Sequence, residues 1–318
     1  MSSLAPHAVP SAERAVRAFE RAAVMASGPV GAGLSAWPEV VVATSADLEV
    51  LPVQIVRAGL DRVLLGNDPE AGLDGLLEGG ILEILLPEVS AMVGFGDGEW
   101  RHKDIWKHTK QVVSQAENRI EVRWGALLHD IGKLRTRSID EKGEVHFFAH
   151  AEVGARMFDK MQRRIPIFTG EETLREEVRF LILHHLRAAQ YDASWTDAAV
   201  RRFAKDMGPH LDDLLCLSRA DITTKRPEKK RRGLRQIDEL AERVAKIRRE
   251  DEKVPPLPKG LGTAISARFG VPPSPALGVV LRALTSAIEA GELPAQEPAD
   301  VYLDFLAQHP DRFGIPGR

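Results

Sequence analysis

The amino-acid sequence predicts an all-α protein, because its apolar residues follow a helical period and few segments alternate as strands do. Spacings of three and four recur in EEVRFLILHHL and LAERVAKIRRE, which is typical of amphipathic helices. Aromatic residues, which strands favour, make up only 6% of the chain. The one strand-like stretch, VVVATSADLEVLPV at 40–53, is short and isolated, so we give it little weight.

Changes in composition divide the predicted helices into four segments. Residues 1–45 contain one helix, SAERAVRAFERAAVMA, and a connector rich in glycine and proline. Residues 46–98 form a neck-like helical segment with turn signals at GNDPEAG and EGG. Residues 99–250 hold eight of the ten histidines. A proline-rich linker, EDEKVPPLPKG, then leads into the helices of 251–318.

The bulk composition is that of a globular protein in a reducing compartment. A hydrophobic content of 44% is enough for an ordinary core in a chain of 318 residues. The single cysteine, Cys216, excludes an intramolecular disulfide and lies in an apolar stretch, where we expect a buried thiol. The N-terminus does not resemble a signal peptide, and no window reaches the apolar length of a membrane-spanning helix. We expect a cytoplasmic protein with no membrane partner.

The stretch WGALLHDIGK at 124–133 places two polar side chains directly after a run that a helix could bury. Burial of a polar or charged side chain is unfavourable unless a hydrogen bond or an ion satisfies it. His129 and Asp130 therefore need a partner, which is either a neighbouring polar group or a metal ion.

Five places in the middle segment carry side chains that can ligate a metal, on predicted helices or at their ends. They are His108, the His129/Asp130 doublet, His150, the His184/His185 pair and Asp221. Their separations are roughly 20 to 36 residues, unlike the short spacing of a zinc finger, so tertiary packing would have to bring them together. Each has an ordinary alternative, such as a surface histidine or a helix cap. A single ion site, however, accounts for all five.

The order H…HD…H…H…D resembles the HD superfamily of metal-dependent phosphohydrolases. More specifically, RHKDIWKHT, RWGALLHDIGKLRTR, FFAHAEVGA, WTDAAVRRFAKDMGP and SRADITTK resemble the C-terminal half of bacterial CCA-adding tRNA nucleotidyltransferases of the HD-containing type. The similarity begins near residue 46 and runs past 250, weakening toward the C-terminus. It implies a multi-helix HD core with flanking helical segments.

One part of that family's pattern is missing from this sequence. The family carries an N-terminal nucleotidyltransferase head, with a Gly-rich strand-turn and two metal-binding aspartates one residue apart. Residues 1–100 contain five aspartates, none paired at that spacing, and fewer than 50 residues precede the neck-like helices. We therefore expect no head in this chain and no addition of nucleotides to tRNA.

The resemblance implies a site for a divalent metal. It places four side chains on one ion: His108, His129, Asp130 and Asp221. His150 and His185 would line or complete a second position. Imidazole and carboxylate ligands suit nickel, cobalt, manganese, iron or zinc, and the sequence does not choose among these metals or between one ion and two.

The adjacent histidines His184 and His185 cannot both face the ion, because neighbouring residues on a helix point about 100° apart. The sequence HLR at 185–187 matches the family pattern better, which favours His185 as the ligand. We expect His184 and Arg187 to lie on the substrate side instead.

The expected chemistry is hydrolysis of a phosphoester. A bound divalent metal lowers the pKa of its water from about 15.7 toward 7 and polarises the phosphoryl oxygens. We expect two catalytic residues, with Asp130 orienting the water and Lys133 neutralising a phosphate oxygen as charge develops. The alternative for Lys133 is a helix C-terminal lysine that complements the helix dipole.

A basic run follows Asp221 directly. Residues 225–235, KRPEKKRRGLR, hold seven basic side chains against one glutamate, although the formal net charge of the whole chain is only -3. Such a run is usually a solvated helix face, but here it could bind a nucleic-acid backbone with an affinity that falls as salt rises. Arg219, Lys225 and Arg226 are nearest to the expected metal site and are further candidates for substrate binding.

Three functions are compatible with these residues. The first is a stand-alone HD phosphohydrolase of nucleotides or RNA 3′-ends, with 2′,3′-cyclic phosphodiesterase, 2′-nucleotidase and phosphatase activity and with tRNA as a candidate partner. The second is an HD hydrolase of free nucleotides, such as dNTPs, guanosine tetraphosphate or a cyclic dinucleotide. The third is a non-catalytic helical module that binds tRNA or a protein. The intact set of six polar groups argues against the third, because such groups cost folding energy when unpaired.

Overall fold

The computed structural model describes residues 11–31, 39–95, 104–251 and 255–315. Helices dominate these residues, which confirms the all-α prediction. The chain forms two compact units, one running to Ala245 and the other starting at Lys246. None of the described helices is both long and apolar enough to cross a membrane.

The described N-terminal part of the first unit contains six helices. They are α1 (Ser11–Ser27), α2 (Ser45–Glu49), α3 (Val53–Leu64), α4 (Pro69–Glu78), α5 (Ile81–Leu85) and α6 (Pro87–Ser90). Helix α2 occupies the stretch that resembled a strand in the sequence. Thr44 and Asp47 form a capping box at its start, so local side-chain bonds favour a helix there.

Helix α1 packs closely against α3 and α4, which explains the small residues along it. Ala22 and Ala26 of α1 face Gly72 and Gly75 of α4, and a Cβ added to Gly72 would lie only 2.5 Å from the Ala26 Cβ. Glycine allows this approach because it has no side chain. Residues 11–27 are therefore part of the core of the first unit.

The remaining elements of the first unit surround the histidine-rich region. They are α7 (Ile105–Gln115), α8 (Ile120–Leu128), α9 (Lys133–Thr136), β1 (Arg137–Ile139), β2 (Val145–Phe147), α10 (His150–Arg164), α11 (Glu172–His184), α12 (Asp197–Met207), α13 (Leu211–Ala220) and the start of α14 (Pro227–Asp251). Two short 3₁₀ turns lie at Ala188–Gln190 and Gly208–His210.

Helix α8 lies at the centre of this group. Every residue from Val122 to Leu128 is buried, and α3, α7, α11 and α13 all pack against the helix. A helix that is apolar on all sides is one that is enclosed by other elements. Trp124 donates a hydrogen bond from Nε1 to Asp61 Oδ1 at 2.8 Å, which ties α8 to α3. The run WGALL is thus the central helix of the unit, and the HD doublet follows its end.

The strands β1 and β2 form an antiparallel hairpin in which Arg137 pairs with Phe147. The sequence analysis did not predict it, because each strand has only three residues and β1 is exposed. Asp140 stabilises the turn by accepting hydrogen bonds from the backbone N–H groups of Lys142 and Glu144, both at 2.9 Å. The hairpin leads the chain from α9 back to the start of α10.

The second unit has a hydrophobic core of its own. Its described helices, apart from the end of α14, are α15 (Leu261–Phe269), α16 (Pro275–Glu289), α17 (Ala299–Gln308) and α18 (Pro310–Phe313). Ile265, Leu284, Tyr302 and Leu306 are fully buried in this core. The Tyr302 hydroxyl donates to the Pro294 carbonyl at 2.8 Å, so the burial of its polar end is compensated.

Candidate metal centre

The HD doublet lies where the central helix ends. His129 is the C-cap of α8, and both His129 and Asp130 are only 1% exposed. The following turn passes very close to α10, since a Cβ added to Gly132 would lie 1.9 Å from the carbonyl oxygen of His150. Only glycine fits this contact, which holds the doublet against the first turn of α10.

Three histidines hold their rings in the same way, by a hydrogen bond to the carbonyl three residues earlier. The Nδ1 atoms of His129, His150 and His185 lie 2.8, 2.8 and 2.9 Å from the carbonyl oxygens of Ala126, Phe147 and Ile182. A carbonyl can only accept, so each Nδ1 carries the hydrogen and each Nε2 presents a lone pair. At the ends of α8 and α11 these bonds also use carbonyls that the terminating helix leaves free.

His108 is also held through Nδ1, but its partner is a hydroxyl, which can donate or accept, so this bond does not fix which ring nitrogen carries the hydrogen. His108 lies within α7, and its Nδ1 is 2.9 Å from Thr223 Oγ1. Asp221, the C-cap of α13, lies 3.0 Å away through its Oδ1 from His108 Nε2. Each of the four imidazole rings, which come from four different helices or helix ends, is therefore held by a hydrogen bond at Nδ1. Its Nε2 atom faces the other side chains of the cluster. Such outer contacts are typical of histidines that ligate metals.

Asp130 stands between two groups of these side chains. Its Oδ2 lies 3.2 Å from His129 Nε2 and 3.4 Å from His108 Nε2. Its Oδ1 lies 3.5 Å from His150 Nε2 and 3.9 Å from His185 Nε2. The structure thus forms two adjacent sets of three potential ligands, which are His108, His129 and Asp221 in one and Asp130, His150 and His185 in the other.

The polar atoms of these two sets are poorly satisfied by one another. His129 Nε2 is buried and has no hydrogen-bond partner, although Asp130 Oδ2 lies 3.2 Å away. His150 Nε2 and His185 Nε2 lie 3.1 Å apart, although both rings already donate through Nδ1. Two lone pairs facing each other in a buried place are unfavourable unless a cation lies between them.

The spacing within the cluster is that of atoms around a common ion. Two ligands about 2.1 Å from one metal are about 3.0 Å apart at a right angle and about 3.4 Å apart at the tetrahedral angle. The shortest pairs, His108 with Asp221 at 3.0 Å and His150 with His185 at 3.1 Å, fall in this range. The donor set of nitrogen and carboxylate oxygen atoms is compatible with a divalent transition metal.

The pKa values of His150, His185 and Asp221 keep their ligand atoms available near neutral pH. Burial lowers the pKa of His185 to about 4 and also lowers that of His150, so both are neutral. Burial would raise the pKa of Asp221, but the hydrogen bond from His108 and the charge of His129 outweigh it and lower that pKa to about 2.

Asp130 and His129 are shifted by each other. Burial would raise the pKa of Asp130, yet His129 and Lys133 outweigh it and hold that pKa well below its usual range. Burial would likewise lower the pKa of His129, but the Asp130 and Asp221 charges raise it. A cation bound to these carboxylates would remove the reason for the raised pKa and favour neutral His129.

Lys133 contacts the cluster directly. Its Nζ lies 2.6 Å from Asp130 Oδ2 and 5.6 Å from the centre of the Phe147 ring. The Lys133 side chain is 22% exposed and that of Asp221 is 31% exposed, whereas Asp130 is almost fully buried. The cluster is therefore reached from solvent past Lys133 and Asp221. In this structure Lys133 neutralises the Asp130 carboxylate.

The structure separates His184 from His185. His185 turns its Nε2 into the cluster, while His184 packs on the Phe180 ring with a centroid distance of 4.3 Å. Arg187 lies 3.8 Å from Asp206 through Nη2 and Oδ2. The surroundings of His184 include Arg187 and Asp206, so both sequence-predicted substrate residues lie on a face outside the six-residue cluster.

Most of the basic run forms the first turns of α14, which begins at Pro227, and Lys225 and Arg226 precede the helix. Lys225 and Arg226 are exposed, whereas Arg219 is drawn toward α14 by an ion pair from Nε to Asp238 Oδ1 at 2.8 Å. Lys230 has a structural contact, because its Nζ donates to Gln115 Oε1 at 3.0 Å. Gln115 in turn donates to the carbonyl of Ala220, next to Asp221. The exposed members of the run remain accessible.

Sequence reasoning missed the groups that orient the ligands. Thr223 and the three carbonyl oxygens could not be identified, because a hydroxyl or a backbone atom carries no metal-binding signature. Ala149 was missed as well; it has a φ of 57° immediately before His150. This left-handed conformation is costly for a residue other than glycine and turns the chain from β2 into α10.

Comparison with known proteins agrees with this geometry. The HD domain family model matches residues 102–226. The A-adding tRNA nucleotidyltransferase of Deinococcus radiodurans is 31% identical over 260 residues, which are 80% of this chain and 58% of that protein. The CC-adding tRNA nucleotidyltransferase of Thermus thermophilus is 31% identical over 265 residues, with 80% and 57% covered.

A third relative matches a shorter region. The multifunctional CCA protein of Pseudomonas fluorescens is 31% identical over 125 residues, which are 38% of this chain and 30% of that protein. The chain spans between half and two thirds of the length of the first two relatives. Residues 102–226 thus match the HD domain family, and they lie within a longer region that is similar in sequence to bacterial tRNA nucleotidyltransferases.

Proposed function

We propose that the six-residue cluster binds one or two divalent transition metal ions. His108, His129, Asp130 and Asp221 would hold the first ion, and His150 and His185, with the other oxygen of Asp130, would line a second position. The observation that carries this proposal is that four imidazoles, each fixed through Nδ1, direct Nε2 toward one buried carboxylate. Nickel, cobalt, manganese, iron and zinc all accept this donor set.

The function that this site supports best is hydrolysis of phosphoesters. When bound, a divalent ion polarises a phosphoryl oxygen and acidifies a water molecule. Asp130 provides one carboxylate oxygen to each half of the cluster and so fixes their spacing. Lys133, at the solvent side of Asp130, has donors left for a phosphoryl oxygen and would stabilise the charge that develops there.

The substrates that we propose are nucleotides or RNA ends, with 2′,3′-cyclic phosphodiesterase, 2′-nucleotidase and phosphatase reactions. Two observations support RNA over other phosphoesters. The relatives that cover most of this chain are named as tRNA nucleotidyltransferases. Lys225 and Arg226 are exposed and follow the partly exposed Asp221 closely in the chain.

A substrate panel tests this proposal. The metal-loaded protein is incubated with 2′,3′-cyclic nucleotides, 2′- and 3′-monophosphates, dNTPs, guanosine tetraphosphate and cyclic dinucleotides. We expect metal-dependent turnover of the cyclic and 2′-phosphates, with a loss of more than about 100-fold in Asp130→Asn, beyond the cost of an outer-shell change. Asp212→Asn is the matched control, because Asp212 is an exposed aspartate at the start of α13 and is not part of the cluster.

Each other outcome of the panel has a definite meaning. If the protein hydrolyses only dNTPs, guanosine tetraphosphate or cyclic dinucleotides, its substrates are free nucleotides and the proposal of RNA ends is wrong. A folded, metal-loaded protein that hydrolyses none of these compounds would overturn the enzymatic proposal and favour a binding module.

A further inference from the structure

A basic cavity is lined in part by α9 and α10, the helices that begin at Lys133 and His150. It has a volume of about 520 Å³ and lies among α6, α9 and α10. Its lining residues are Glu88, Arg135, Val153, Arg156, Met157 and Lys160. None of these residues belongs to the six-residue cluster or to the basic run of α14.

The cavity carries uncompensated positive charge. Within the described part of the chain, Arg135, Arg156 and Lys160 make no ion pair and no side-chain hydrogen bond with another residue. The one lining carboxylate, Glu88, is already bound by Arg164 Nη2 at 2.7 and 3.0 Å. Three free cations around one concave surface favour an anionic ligand with more than one charge.

Helix α10 connects this cavity to the metal centre. His150 is the first residue of α10, and the lining residues Val153, Arg156, Met157 and Lys160 follow at helical spacing on one face. With a rise of 1.5 Å per residue, they lie about 5 to 15 Å along the helix from His150. Side chains on a helix lean toward its N-terminus, which here is the end that holds the cluster.

Arg135 lines the cavity from α9, whereas Arg156 and Lys160 line it from α10. Arg135 lies two residues after Lys133, and α9 is held against α10 by the contact of Gly132 with His150. A chain of phosphates that starts at Lys133 would thus meet Arg135 and then the cations of α10. Val153 and Met157 add apolar surface between these cations, which suits ribose better than a bare polyphosphate.

We propose that this cavity binds the phosphodiester backbone of an RNA strand whose terminal phosphate lies at the metal centre. A stacked strand advances about 3.4 Å per nucleotide, so the cavity would meet the backbone about two to four nucleotides from that end. The inference rests on the proposed phosphohydrolase function, because that function places the terminal phosphate. It makes a short oligonucleotide a better ligand than a mononucleotide.

The test compares ligands of different length in Arg156→Ala/Lys160→Ala. Arg248→Ala/Arg249→Ala is the matched control, since it removes two exposed positive charges from α14. Fluorescence anisotropy with the metal-loaded protein measures the affinity for a labelled RNA pentanucleotide whose 3′-phosphate is replaced by a phosphonomethyl group, and competition measures the affinities for the matching 3′-mononucleotide and for a nucleoside triphosphate. The C–P bond of the phosphonomethyl group is not hydrolysed, so this binding measurement does not depend on the proposed activity.

We expect the cavity variant to bind the pentanucleotide about tenfold more weakly and to change the mononucleotide affinity by less than about twofold, because only the longer ligand reaches α10. Loss of two phosphate contacts should also reduce the slope of log affinity against log salt by about 1.4. Unchanged pentanucleotide binding, equal losses for pentanucleotide and mononucleotide, or a loss confined to the triphosphate would each overturn the proposal. If the length dependence holds but the metal-loaded protein hydrolyses nothing, the phosphohydrolase proposal fails and the RNA-binding cavity stands.

Discussion

His150 Nε2 and His185 Nε2 lie 3.1 Å apart in a buried place, although the hydrogen of each ring is already donated through Nδ1 to a main-chain carbonyl. The two rings come from opposite ends of two helices, since His150 begins α10 and His185 caps the end of α11. Packing of α10 on α11 therefore forces two lone pairs together. A cation is the simplest group that would make this contact favourable.

Metal binding should accordingly stabilise the fold. A ligand that binds only the native state at 100 times its Kd adds about 2.7 kcal/mol to the free energy of unfolding. We expect manganese, cobalt, nickel, iron or zinc to raise the melting temperature of chelator-treated protein, and EDTA to reverse the rise. Differential scanning fluorimetry measures both effects. Absence of a shift with all five metals, in protein shown to be folded by circular dichroism, would contradict the metal site.

The adjacent histidines provide a sharper comparison. His185→Gln removes a ring that faces Asp130, whereas His184→Gln removes one that packs on Phe180. We expect elemental analysis of the purified variants to show reduced metal content for His185→Gln and near wild-type content for His184→Gln. The reverse pattern would mean that α11 presents the other histidine to the ion.

Much of this arrangement follows from the sequence in physical terms. The helical period gave the fold class, and the apolar run before His129 showed that the doublet would be buried. The residues alone pointed to five places with side chains that can ligate a metal, and the resemblance to the HD superfamily then implied the six ligands and favoured His185 over His184. The meeting of the six ligands in space depends on α8 being enclosed by four helices, which no local pattern specifies.

Other features had no local signature. The hairpin of β1 and β2 is too short to show a strand period, and the orienting groups of the cluster are mostly backbone carbonyls. The cations of the α10 cavity are spread over two helices and look like ordinary surface residues in the sequence. The pairing of Arg219 with Asp238 likewise depends on how α13 and α14 pack.

Gly132 should be essential for the spacing between the doublet and α10. A Cβ in Gly132→Ala would lie 1.9 Å from the His150 carbonyl oxygen and 2.7 Å from the Gly154 nitrogen, so the backbone has to move. Overpacking of this kind costs about 1–3 kcal/mol or more, and here it also separates Asp130 from His150. We expect a lower unfolding midpoint in urea and weaker metal binding.

Gly262→Ala is the control for this change. It lies within α15, and the nearest side-chain atoms to its added Cβ are 3.7 Å away, an ordinary contact. Alanine is favoured over glycine inside a helix, so this variant should be as stable as the wild type or slightly more stable. Equal destabilisation by both changes would show that the close approach at Gly132 has no special role.

The exposed cations of α14 should affect RNA binding without affecting the metal. Lys229→Ala/Arg232→Ala removes two exposed charges, and we expect weaker tRNA binding with a smaller salt slope but unchanged turnover of a mononucleotide. Lys230→Ala is different, because Lys230 holds Gln115, which bonds to Ala220 beside Asp221. A collapse of mononucleotide turnover in the first variant would make the basic run part of the catalytic pocket.

Cys216 should be an unreactive thiol in the folded protein. Burial and, to a smaller extent, the hydrogen bond to Glu117 raise the pKa of Cys216 to about 11, against 9.0 for the free side chain. At pH 8 the folded protein then holds about 100-fold less thiolate than the unfolded chain, and only the thiolate reacts. We expect iodoacetamide to modify native protein at least that much more slowly, with a rate that rises about tenfold per pH unit from pH 8 toward 11. Protein unfolded in guanidinium is the control, and equal rates in the two states would mean that Cys216 is neither buried nor shifted.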